Sequence, residues 1–188
     1  MSQNVVVLCS DRYYSVGLIR ALGEVGYKPE CYCYGSDGGH VLASKYVSKG
    51  KVFCTCDDAI LFLLNDYPIY DIKPILFTMP DMPAYLVDIH QNVLKMKFVL
   101  MSAGGQGKLA YWMNKRTQIE LAQKHGFKVP WMIEILKNDN IPESIEYPVF
   151  TKSIRTVDGG KCDESICWNK EELESRKSSI VSDHFLVT

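Results

Sequence analysis

Between Asn4 and Met101 short apolar runs alternate with stretches of helical period, and this alternation limits the fold more than any other feature of the sequence. Val5-Val6-Val7-Leu8 is a continuous apolar run, the pattern of a parallel strand buried on both faces. Further strand-like runs follow at Lys28 to Tyr34, around Lys51 to Cys54, at Lys73 to Thr78 and at Lys97 to Met101. Between the first two, Tyr14, Leu18, Ala21, Leu22 and Val25 share one helical face, with Gly26 placed as a C-terminal cap. Ile60, Leu63, Leu64 and Tyr67 repeat that spacing behind Asp57-Asp58, as do Met82, Leu86, Ile89 and Val93 behind Pro80. A short helix is expected within Val41 to Tyr46. Strand and helix in strict alternation imply a doubly wound parallel sheet.

Such sheets bind ligands beyond the carboxyl ends of their strands. Here those ends carry Ser10-Asp11-Arg12, the loop Gly35 to Gly39, and Thr78 to Asp81. Asp11, Arg12 and Asp81 are therefore candidate substrate contacts, with helix capping as the competing reading for the two aspartates. No glycine stands between Cys9 and Gly17, so a G-x-G-x-x-G phosphate turn cannot form there and NAD is disfavoured.

At 188 residues the chain allows one compact domain, or one and a half smaller ones, and 47% hydrophobic residues suffice for a core. A net charge of −1 implies neither a nucleic-acid surface nor a polybasic membrane patch. No apolar run reaches the roughly eighteen residues that span a bilayer. The opening Met-Ser-Gln-Asn-Val-Val-Val-Leu lacks the basic region of a signal peptide, which gives a cytoplasmic reading. Seven cysteines, including the pairs Cys31/Cys33 and Cys54/Cys56, lack zinc spacing and read as reduced thiols.

The pattern changes after Met101. Ser102 to Gly107 reads as a flexible connection, followed by one helix from Leu109 to His125 that Gly126 ends. An extended segment begins at Val129-Pro130-Trp131, and a loop covers Asn138 to Tyr147. Val149 to Ser153 is a strand in which Phe150 and Lys152 share one face, Val149 and Thr151 the other. A lysine on a half-buried face is costly unless an anion compensates it. Behind it lies a loop, Ile154 to Cys162, whose adjacent Gly159 and Gly160 let backbone N–H groups approach phosphate oxygens. That pair of features suggests a phosphate site; the alternative is a hairpin whose edge lysine reaches water. A strand around Glu164 to Trp168, a helix from Lys170 to Ser178 and an apolar strand from His184 to Thr188 close the sequence.

In this order the segments resemble the ATP-grasp superfamily, closest in tone to its carbamoyl-phosphate-synthase-like and D-aspartate-ligase-like members. The glycine-free first turn with Leu18-Ile-Arg-Ala-Leu-Gly-Glu-Val-Gly26, and Lys73-Pro-Ile-Leu-Phe-Thr-Met-Pro-Asp81, look like the N-terminal pre-ATP-grasp domain. Asn114-Lys115-Arg116 with Leu121-Ala122, Gly126 and Pro130 is similar to the helix opening the ATP-binding domain. Tyr147 to Ser153 looks like the strand of the phosphate lysine, and Gly159-Gly160-Lys161 resembles the glycine-rich lid. The resemblance implies an α/β architecture: a pre-ATP-grasp parallel-sheet domain over residues 1–108, then the first, α+β part of an ATP-grasp domain over 109–188, cut short at its C-terminal end.

By position it implies that Lys115, Lys152 and Ser153 bind ATP phosphates while Gly159, Gly160 and Lys161 cover them. The implied chemistry is phosphorylation of a small carboxylate to an acyl phosphate, which an amine then attacks. A homodimer is compatible with it; nucleic acid and membrane are not expected partners. Asn114 departs from the commoner aspartate, and the lid carries two adjacent glycines only. The Mg²⁺ ligands and the adenine hinge are expected downstream of residue 188, so residues 1–188 alone are expected to be inactive and to bind ATP poorly at best. A non-catalytic nucleotide- or sugar-binding α/β module is the alternative function.

Overall fold

The computed structural model describes residues 3–35 and 37–188; Met1, Ser2 and, from the loop Gly35 to Gly39, Ser36 lie outside the described residues. The chain divides into two compact units, residues 1–110 and 111–188.

In the first unit β1 (Val5–Ser10), β2 (Glu30–Tyr34), β3 (Lys49–Phe53), β4 (Ile75–Met79) and β5 (Val99–Leu100) form one sheet in the order β3-β2-β1-β4-β5. Every pairing is parallel, with Val7 opposite Cys31 on one side and Phe77 on the other. The apolar run of β1 occupies the centre: Val6, Val7, Leu8 and Cys9 have no exposed surface. Burying each such aliphatic chain is worth about 1.5–3 kcal/mol, so this strand anchors both faces. Leu8 packs with Ile60, Leu63 and Leu86 on one face, and Val7 with Ile19 and Val41 on the other.

The helices are α1 (Tyr13–Glu24), α2 (Gly39–Leu42), α3 (Cys56–Asn65), α4 (Asp81–Ile89) and α5 (Gln91–Leu94). Helix α1 ends as its glycine requires: Gly26 adopts φ 92°, its amide donates to Gly23 O and that of Tyr27 to Leu22 O. Helix α3 opens on a capping box in which Thr55 and Asp58 exchange side-chain and backbone bonds. The periodic stretch from Met82 to Val93 is not one helix. It breaks at His90, the residue shared by the end of α4 and the start of α5.

The second unit holds an antiparallel sheet of β6 (Ile133–Leu136), β7 (Val149–Ser153), β8 (Ser165–Cys167) and β9 (His184–Val187), ordered β6-β9-β7-β8. One face buries Val149, Cys167, Phe185 and Val187 with Leu173 of α9 (Lys170–Ser179) and Ile180. The single helix expected over 109–125 is two, α6 (Lys108–Trp112) and α7 (Lys115–Lys124). The cause is Asn114, whose side chain accepts from the amides of Arg116 and Thr117 and so starts a new helix there. The expected open loop from Ile154 to Cys162 is also corrected. It folds as a helical turn, α8 (Thr156–Gly159), running into a 3₁₀ turn at Gly160–Asp163.

Candidate functional site

Strand β7 delivers the lysine. Val149, Thr151 and Ser153 are buried, whereas Phe150 and Lys152 are half-buried on the opposite face. Lys152 stands opposite Leu186 of β9, which stands opposite Glu134 of β6, so the three share that face. The Lys152 ammonium makes no hydrogen bond or ion pair with any described residue. A half-covered cation without a partner among the described residues is a candidate for pairing with an external anion.

Helix α7 brings the second lysine to the same strand. The Lys115 amide donates to Ile154 O at 3.0 Å, and its ammonium donates to Ser153 O at 2.8 Å. Lys115 is thus tied to the exit of β7, at the peptide that directly follows Lys152. Ser153 itself is buried and contributes its backbone there. Lys161 lies exposed in the 3₁₀ turn, and Gly159 ends α8.

Beside this exit lies a cleft of about 480 Å³, lined by Asn114, Ile154, Arg155 and Asp158 together with Glu134 and the turn Val181 to His184. Its charged lining is Glu134, Asp158 and Asp183 against Arg155, and Arg155 already pairs with Asp158 at 3.0 Å. Lys152 is not part of that lining. An excess of carboxylates disfavours a phosphate within the cleft itself, and on the sheet face next to it Glu134 is already paired with Arg116 and His184.

Sequence reasoning missed the network at the cleft. Glu134 accepts from Arg116 at 3.0 Å and pairs with His184 Nδ1 at 2.9 Å. Burial pushes the Glu134 carboxyl up, but the His184 and Arg116 contacts outweigh it and hold the group below its ordinary value. Glu134 and His184 are fifty residues apart, so only the pairing of β6 with β9 reveals their proximity.

The first-unit candidates fare differently. Asp11 caps α2: its carboxylate accepts from Val41 N at 2.8 Å and His40 N at 3.3 Å, and meets His40 Nδ1 at 2.9 Å. Burial again opposes ionisation, and these contacts prevail, leaving its carboxyl lowered. Arg12 is exposed at the N-cap position of α1 without a side-chain cap bond, and Asp81 is exposed in the first turn of α4. Among the described residues no group of three or more His, Cys, Asp or Glu side chains could hold a metal ion. No described helix is long and apolar enough to cross a membrane.

No protein-family model matches the sequence, and no curated protein matches it. Solved structures do match the fold. An L-amino acid ligase from Bacillus licheniformis superposes with a TM-score of 0.68 at 12% identity, covering 100% of this chain and 44% of that one. An N5-carboxyaminoimidazole synthetase from Staphylococcus aureus, complexed with ADP, gives 0.68 at 13% identity, covering 100% and 48%. A D-alanine–D-alanine ligase from Bacillus anthracis gives 0.57 at 12% identity, covering 99% and 57%. The chain thus spans about half the length of these ATP-grasp ligases and has the fold of their N-terminal part. The matches do not favour a sugar-binding or non-catalytic module.

Proposed function

We propose that this chain carries the ATP-phosphate-binding portion of a cytoplasmic carboxylate–amine ligase. The observation that carries the reading is Lys152, a half-buried cation on an antiparallel sheet face with no partner among the described residues. Its donor set fits the group: ammonium and backbone N–H bind phosphate oxygens and do not ligate a metal, so Mg²⁺ is proposed to arrive as Mg-ATP. ATP supplies the phosphoryl group that activates a small carboxylate for attack by an amine.

The chain's own task is to hold and neutralise the phosphates. Lys152 offers three protons from the sheet face, and Lys115 adds positive charge at the adjacent peptide. Ser153, Gly159, Gly160 and Lys161 lie along the backbone that leaves this point, and we assign them to covering the phosphates. Charge fixed in place before the nucleotide arrives needs no reorganisation when charge develops on the transferring group. Arg12 and Asp81, exposed at strand ends of the first unit, remain proposed contacts for the acceptor, and Asp11 would orient that surface through α2. Small carboxylate and amine substrates are the partners this reading requires, and a homodimer is compatible with it.

Calorimetric titration of Mg-ATP tests the proposal directly. Lys152→Ala is expected to weaken binding at least roughly tenfold, the worth of one charge-assisted bond. An unchanged affinity in a folded Lys152→Ala protein rejects it.

A further inference from the structure

The segment that follows the lysine strand is tied down by a carboxylate that neither the fold nor the phosphate reading accounts for. Asp163, at the end of the 3₁₀ turn, has no exposed surface. One of its carboxylate oxygens accepts from Val181 N at 2.8 Å. The other accepts from Ser182 N at 3.2 Å and from the Ser182 hydroxyl. Its backbone carbonyl accepts from Thr151 Oγ1 at 2.8 Å, inside β7. The carbonyl of the preceding Cys162 accepts from the Arg176 guanidinium on α9. Gly159 completes the arrangement. A Cβ there would collide with Asp163 Oδ2 and stand 2.6 Å from Ser182 Oγ, so the turn closes over the carboxylate only because residue 159 has no side chain.

We propose that Asp163 is a positioning residue that latches residues 154–163 onto the turn at 181–182, so that the segment beside Lys115 and Lys152 is folded before any nucleotide arrives. A glycine pair on an open loop would have to be ordered on binding, at a cost for each residue fixed. Here the buried carboxylate, the Thr151 hydroxyl and the close approach at Gly159 have already met that cost during folding. What the segment covers rests on the function proposed above; the latch does not.

Hydrogen exchange of the full chain, with and without Mg-ATP, separates the two. The native segment 156–163 is expected to be protected without nucleotide, and Mg-ATP is expected to add little. Asp163→Asn replaces an acceptor with a donor that faces other donors. Exchange in that segment should accelerate by roughly tenfold or more, while β1 and its neighbours stay unchanged. Mg-ATP affinity should fall by about tenfold, as ordering one or two residues moves to the binding step. If Asp163→Asn also strips protection from β7 and β9, Gly159→Ala decides: it must open the same segment while the sheet stays protected. Open-loop exchange in the native protein overturns the latch, as does unchanged protection in Asp163→Asn or, where that variant unfolds the unit, in Gly159→Ala. Failure of the native protein to bind Mg-ATP would instead remove the function proposed above and leave the exchange result standing.

Discussion

Lys97 and Lys152 pose the same physical problem in the two units, and the units answer it differently. Lys97 is 8% exposed and spends all three protons inside the first unit, on Leu63 O, Leu64 O and Tyr67 O at 3.2, 2.7 and 2.8 Å. The first two carbonyls belong to the last turn of α3 and the third lies just beyond it, where a helix leaves acceptors unsatisfied and favours positive charge. Lys152 is half-buried on its sheet and spends none on any described residue. A lysine completed by its own fold is structural. One without a partner among the described residues is where the proposed function seats its anion.

The same substitution at both positions should therefore have opposite consequences, and four experiments probe the contrast. Lys97→Met leaves three carbonyls unpaired near the core and should cost about 3 kcal/mol or more of first-unit stability, read by urea unfolding. A tolerated Lys97→Met would break the comparison at its firmer end. Next in size is acid. Asp163 is pushed up by burial, but the Ser182 hydroxyl, the Val181 and Ser182 amides and the Arg176 charge hold it below its ordinary value, as the Glu134 contacts hold theirs. A carboxyl whose folded value is depressed stabilises the fold above its unfolded value, and that contribution is lost as pH falls through the folded one. The second unit, with two such groups, should loosen before the first as pH falls below about 4, measured by amide signals of each sheet.

Smaller effects sharpen the picture of how the second lysine is held. Asn114→Ala removes the cap of α7 and should cost about 1 kcal/mol, with Lys115 losing its fixed approach to Ser153. Lys152→Met should change stability by no more than about 0.5 kcal/mol, because no internal bond is lost. A large loss there would show that Lys152 has a structural partner after all.

Much of this architecture was legible because it is local. The run Val5 to Leu8 could only be a strand buried on both faces, and the alternation through Val149 to Ser153 placed Lys152 beside Phe150. The sequence-level errors share another cause, since each depends on a residue acting across the chain. Asp11 looked like a cap for the helix that follows it, yet it caps α2 thirty residues away. Lys97 looked like the first residue of a strand, and its acceptors lie about thirty residues upstream. Residues 154–162 looked like a loop because glycine signals freedom, whereas Gly159 is there to admit the Asp163 carboxylate. The break at Asn114 was readable in principle, as an asparagine two residues before Arg116, but a run of helix-compatible residues on both sides concealed it.

Central to the account is an anion held at the exit of β7, and the most direct test is the footprint of Mg-ATP on the amide and lysine side-chain NMR signals of this chain. The account predicts shifts concentrated at Lys115, Lys152, Ser153 and Gly159, with the Lys152 ammonium slowed in its exchange with water. Shifts confined to the strand ends of the first unit, with Lys152 unmoved, would contradict it.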